Sequence, residues 1–96
     1  MASSEQMLRV TVAALMRATG ENQTLLAKGL RITQGAVSRK QRGGAAWSLA
    51  DIDRLSAHYG IPVPDLLCGP SHAVDRLPHA RRAAMIGGTQ SILSIA

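Results

Sequence analysis

An all-α fold is the expectation this chain raises, on three grounds. Apolar residues recur at spacings of three and four through most of its 96 residues. Each such run follows a Ser, Thr or Asn able to cap a helix, and three of the runs are closed by glycine. Trp47 and Tyr59 are the only aromatic residues, with no Phe at all, so the core has to be built from Leu, Ile, Val, Met and Ala. That set suits closely packed helices better than stacked strands. A chain of this length makes one small domain whose modest core a partner subunit would help to complete.

Residues 1–6 are small and polar and are expected to be flexible, with Ser3 and Gln6 spaced as a capping box. A first helix is expected from residue 7 to about residue 18, with Leu8, Val12, Leu15 and Met16 on one face, Arg9 and Arg17 on the other, and Gly20 at its end. Asn22 caps a second helix of about two turns starting at Gln23, with Leu26, Ala27 and Leu30 inward. Thr33 caps a third, in which Ala36 and Val37 point inward while Gln34, Ser38, Arg39 and Arg42 share the outer surface, before Gly43 and Gly44 stop it. Ser48, with Asp51 three residues on, opens a fourth helix that directs Leu49, Ile52, Leu55 and Tyr59 to the core, covers the core edge with Trp47 and ends at Gly60. Pro64 suits the first turn of a short fifth helix over residues 65–67, whose two leucines plug the end of the core.

This places a compact five-helix domain at residues 7–68, followed by a C-terminal extension at 69–96. The extension has room for a helix over 71–85 interrupted at Pro78, with Arg81 and Arg82 exposed, then a hinge at Gly87 and Gly88 and a short strand over 89–96. An apolar strand of that kind needs another chain to pair with, which makes the extension a candidate dimerisation arm. A disordered end, or a cut into a longer protein, stays open beside it.

Charge narrows the function. Basic residues outnumber acidic ones 11 to 6, and no acidic residue falls between Glu21 and Asp51, where Lys28, Arg31, Arg39, Lys40 and Arg42 all lie. One surface is therefore basic and attracts polyanions, nucleic acid first, although an anionic membrane face or a merely solvated surface carries the same signature. A single cysteine, Cys68, forbids an internal disulfide framework and fits a reducing compartment. Glu5 and Arg9 interrupt any apolar signal core, and no stretch approaches the ~20 uncharged apolar residues of a membrane span. A cytoplasmic protein with no membrane partner is expected. Cys68, His72 and His79 lack a fourth metal ligand at any common zinc spacing, since His58 belongs to another helix. No nucleophile, base and orienting acid stand in a recognisable order, so neither an enzyme nor a cofactor or metal site is expected.

Two short helices joined by a tight connection, the second polar and basic on its outer face, make a helix-turn-helix. A helix fits the major groove of B-DNA, its first residues reach base edges, and the helix before it points its N-terminal N–H groups at a phosphate. Gln23 sits at that N-terminus. Gln34 can pair with adenine and Arg39 with guanine, each pair contributing roughly 1–3 kcal/mol of discrimination.

From Gln23 to Leu67 the chain resembles the Cro/cI/XRE-type helix-turn-helix repressors, the lambda-repressor-like DNA-binding domains. NQTLLAKGLRITQGAVSRKQRGG is similar to that family's second and third helices and WSLADIDRLSAHYGIPVPDLL to its fourth and fifth. The resemblance implies that Gln23 and Thr33 hold phosphates, that Gln34, Ser38 and Arg39 reach bases, and that Arg42 returns to the DNA backbone. The chain departs from the pattern at Arg31, where the family usually has the glycine of the turn, the nearest glycine here being Gly29. Gly35 leaves a reading position empty, and Lys40 replaces an apolar residue and is expected to snorkel outward to phosphate. Met16 and Gln41 stand where many relatives pair Arg with Glu; losing both charges together is nearly neutral where losing one is not. The function so implied is sequence-specific binding of double-stranded DNA by a phage or bacterial transcription repressor, as a homodimer on a pseudo-palindromic operator. The alternative is a protein-interaction adaptor or antitoxin-like module that uses the helices and the tail to hold a partner protein.

Overall fold

Four side chains set the helix starts. Ser3 Oγ accepts the Gln6 N–H at 3.0 Å, Asn22 Oδ1 that of Leu25 at 2.9 Å, Thr33 Oγ1 that of Ala36 at 3.0 Å and Ser48 Oγ that of Asp51 at 3.1 Å. Each satisfies an orphan donor worth about 1 kcal/mol. The computed structural model describes residues 3–82. Its helices are α1 (Ser4–Thr19), α2 (Gln23–Leu30), α3 (Gln34–Arg42), α4 (Leu49–Tyr59), α5 (Val63–Leu66) and α6 (Pro70–Arg76), and residues 79–82 are helical again. Among the described residues there is no strand, and no helix is long and apolar enough to cross a membrane. The glycine pair Gly87 and Gly88, the strand expected over 89–96 and the end of the helix expected over 71–85 lie outside the described residues.

The core is the one the apolar spacing predicts, with three corrections. Leu8, Val12 and Leu15 of α1, Leu26, Ala27 and Leu30 of α2, and Val37 of α3 are buried, as are Ile52, Leu55 and Tyr59 of α4. Trp47 is buried at the start of α4. Leu49, however, is 82% exposed. The buried arc of α4 runs through Asp51, Ile52, Leu55 and Tyr59; its centre lies about a quarter-turn from Leu49, and Asp51 extends it on the side away from that residue. Leu66 plugs the end of the core, but Leu67 is half-exposed because α5 stops at Leu66; Ile61 fills the space instead.

The third correction concerns where the helical body ends. Five helices closing at Leu67 were expected, but α6 lies along α1 in the most extensive helix pair of the structure. Pro70 starts α6 at its first turn, and Ala73 and Leu77, four residues apart, enter the same core as Leu8 and Leu15. Helix α1 also starts three residues earlier than expected, at Ser4 rather than Met7, under the Ser3 cap.

Arg81 and Arg82, expected to be exposed, are half-buried. Arg82 Nη2 donates to the Val74 carbonyl at 2.6 Å, and Arg81 joins a polar cluster that the sequence did not announce. At its centre the Glu21 carboxylate accepts the Tyr59 hydroxyl and faces His58 Nε2 at 2.9 Å. Arg81 Nη2 lies 3.1 Å from the same His58 nitrogen and 3.9 Å from Glu21. A carboxylate needs Nε2–H and a guanidinium needs the Nε2 lone pair, so this one nitrogen bonds one of them at a time. Burial, reinforced by the Glu21 carboxylate, pushes the Tyr59 phenol far above its ordinary value and keeps it a neutral donor.

His58 also accounts for Gly29. A Cβ at Gly29 would overlap the His58 imidazole, which is why the glycine stands there, and Arg31 is left to take the left-handed turn at φ 61°. Gly29→Ala is therefore expected to cost about 1–3 kcal/mol in urea denaturation. The same change made on top of His58→Ala should cost nothing further, because the clashing ring is gone.

Candidate nucleic-acid interface

Residues 31–33 separate α2 from α3. The Arg31 N–H reaches back to the Lys28 carbonyl at 3.3 Å and that of Ile32 to the Ala27 carbonyl at 3.0 Å, which closes α2 before Thr33 caps α3. Val37, fully buried, sets the inward side of α3. Arg39 and Arg42 consequently lie on the opposite side and are exposed, Gln34 and the cap Thr33 are exposed at the head of the helix, and Ser38 is half-buried beside them.

Gln34 and Gln23, which lead α3 and α2, are brought together. Gln34 Nε2 donates to Gln23 Oε1 at 2.9 Å. An amide nitrogen carries two hydrogens, so Gln34 keeps one N–H and its carbonyl oxygen, and Gln23 keeps its amino group. A donor and an acceptor side by side at the head of an exposed helix match the edge of a base, and the neighbouring amino group and Thr33 hydroxyl can reach a phosphate. The arrangement is a helix-turn-helix with a polar, basic outer face. The family model of the BetR domain matches residues 3–92.

The chain belongs to the BetR domain family. This is a family of helical, DNA-binding-like domains, and the match takes in α6 together with the helix-turn-helix. No curated protein and no solved structure matches the chain.

In this BetR domain one residue of the expected contact set faces elsewhere. Lys40 does not snorkel outward to phosphate. Its ammonium bonds Asp51 Oδ2 at 2.7 Å and the Ala46 carbonyl at 3.1 Å, and lies 5.7 Å from the centre of the Trp47 ring. The reason is Asp51, a buried capping carboxylate that requires a counter-charge, which Lys40 supplies at contact and Arg54 at 3.6 Å. Burial pushes the Asp51 carboxyl up, but the Lys40 ammonium and the bonds from Ser48 outweigh it and leave the group below its ordinary value.

Two residues of the BetR domain that residue spacing did not assign also position α3. Gln41 Nε2 donates to the Arg9 carbonyl at 3.1 Å, and Gln41 Oε1 accepts the Trp47 indole N–H at 3.0 Å. A buried tryptophan needs an acceptor, and this was the signal available in the sequence. The Arg9 guanidinium stands against the C-cap of α3, 3.4 Å from where a Gly43 Cβ would be, at the negative end of the helix dipole. Together with Arg39 and Arg42 it extends the basic surface toward α1. Two of the residues weighed as metal ligands have other partners: Cys68 Sγ lies 3.1 Å from the Pro64 carbonyl and His72 Nε2 lies 2.8 Å from Asp65. Among the described residues no three His, Cys, Asp or Glu side chains are placed to share a metal ion.

The depressed Asp51 carboxyl has a pH consequence. Its stabilisation is present above the unfolded carboxylate value of ~4 and is lost as pH falls through the lower folded value. Asp51→Asn should cost about 1–3 kcal/mol at pH 7, because Lys40 loses its partner. Urea melts of the two proteins should converge as the pH is taken from 5 to about 2; a gap that stayed constant would assign the stabilisation to the capping bonds rather than to the charge.

Proposed function

We propose that this BetR domain is a sequence-specific, double-stranded DNA-binding transcription regulator, a repressor of phage or bacterial type, that reads the major groove with α3. The observation that carries the reading is the Gln34–Gln23 hydrogen bond. It fixes the first side chain of the reading helix while leaving it one donor and one acceptor, the pair that adenine requires. Arg39 is suited to guanine, Ser38 to a base edge between them, and Gln23, Thr33 and Arg42 to the flanking phosphates. The order of α1 to α5, the caps Asn22 and Thr33 and the buried Ala27 and Val37 favour a likeness to the Cro/cI/XRE-type repressors. In a homodimer the two α3 helices would enter successive major grooves about 34 Å apart over a pseudo-palindromic operator, and bound protein would occlude polymerase.

Selection of duplexes from a random pool tests the reading and yields the site. On the selected duplex, Arg39→Ala is expected to lose about 5–100-fold in affinity, the equivalent of ~1–3 kcal/mol, and to relax preference at one base pair. Arg42→Ala is expected to weaken all duplexes alike and to lower the slope of log affinity against log salt by about one. A flat salt dependence of the unmodified protein would instead favour docking to another protein.

A further inference from the structure

Gly35 has no counterpart of the reason that explains Gly29. It is the second residue of α3, its φ is not in the left-handed region, and a Cβ built on it would have one atom within 4 Å, Thr33 Oγ1 at 4.0 Å. A side chain fits there without displacing anything in the described residues, and glycine is a poorer helix former than alanine. The fold therefore does not require this glycine.

Its position is what singles it out. At 100° per residue Gly35 lies about 200° round the helix from the buried Val37, three residues before Ser38, four before Arg39 and seven before Arg42. It is thus near the middle of the outer face. Gly35 and Ser38 are short, Gln34 and Arg39 are long and stand to either side of them, and Arg42 rises on the same line two turns on from Gly35, so the first half of the face is a shallow trough that Arg42 closes at its far end. Ser38 can touch a base only if the backbone of α3 comes close to it.

We propose that Gly35 is a specificity-determining close-approach position. The base edges of a duplex take up the space a side chain would fill, letting α3 settle deep enough for Ser38 to make contact and for Gln34 and Arg39 to straddle the same base pairs. The proposal rests on the DNA-binding reading above and adds to it which residue sets the depth of docking.

The experiment uses the full chain and the duplex it selects from a random pool. Gly35→Ala and Gly35→Leu are compared with the unmodified protein for affinity on that duplex and on an unrelated duplex, for salt dependence and for thermal midpoint. Affinity for the selected duplex should fall at least tenfold with Ala and further with Leu. Affinity for the unrelated duplex should stay within about threefold, the salt slope should not change, and the midpoint should be unchanged or raised by a few degrees. Variants that bind the selected duplex as tightly as the unmodified protein would overturn the close approach and leave DNA binding intact. A lowered midpoint accompanying the loss would overturn it as well, by making the glycine a requirement of the fold. If the unmodified protein selects no duplex, both the proposal and the reading beneath it fall.

Discussion

Helix α3 encloses one side chain completely, Val37, and burial of a valine stabilises by only about 1.5–3 kcal/mol. Nine mostly polar residues are not a stable helix in isolation, and such a helix cannot add apolar residues without giving up its polar outer face. The structure resolves this conflict with polar ties at the back of the helix. The Asp51 carboxylate is the most heavily used of them. It accepts the Ser48 N–H that opens α4 and the Lys40 ammonium that belongs to α3, so the start of one helix and the seating of the other depend on the same group. Such a carboxylate is buried at a cost that only full pairing offsets, and full pairing is what makes it rigid.

The second polar cluster performs a similar task at the other end of α4. Glu21 sits one residue before the cap of α2, and its carboxylate is held by Tyr59 and His58 of α4, with Arg81 covering it. The orientation of α2, and with it of the turn into α3, is therefore referred to α4 and to residues well beyond the five helices the sequence predicts. The same contacts explain why the chain past Pro70 cannot be set apart as a loose appendage: Ala73 and Leu77 complete the core, while Arg81 reaches back to His58 and Glu21 of the body.

What could be read in the sequence was what depends on neighbours along the chain. Ser3, Asn22, Thr33 and Ser48 cap because a cap needs only a hydroxyl or amide three residues before a free N–H. Leu8, Val12, Leu15, Leu26, Leu30, Leu55 and Tyr59 are inward because helical period fixes a face. What escaped depends on residues far apart. Lys40 reads as an outward cation until Asp51, eleven positions on, is seen to be buried beside it. Leu49 reads as core until that same Asp51 takes the inward arc. Glu21 and His58, 37 positions apart, carry no pattern that would pair them. Gly29 could be recognised as misplaced for the turn, but its cause, the His58 ring, could not. The outer face of α3 was legible for the opposite reason: it is defined by exposure, which the polar spacing of Gln34, Ser38, Arg39 and Arg42 states directly.

Gln41 shows how the ties and the outer face fit together. At the two positions where the sequence resemblance implies an Arg–Glu pair, this chain has Met16 and Gln41, and the amide ties α3 down without a charge. Its nitrogen holds the α1 backbone at Arg9 while its oxygen holds Trp47, so both hydrogen-bonding ends are used and no charge has to be desolvated. Lys40 and Gln41 thus fasten the C-terminal half of α3, one ionically and one neutrally, and Gln23 fastens its first residue through Gln34. Ser38 and Arg39 lie between these two points of attachment. Fixing a helix at both ends leaves its central outward residues little backbone freedom to lose on binding, so that under the proposed function more of each base contact would survive as discrimination.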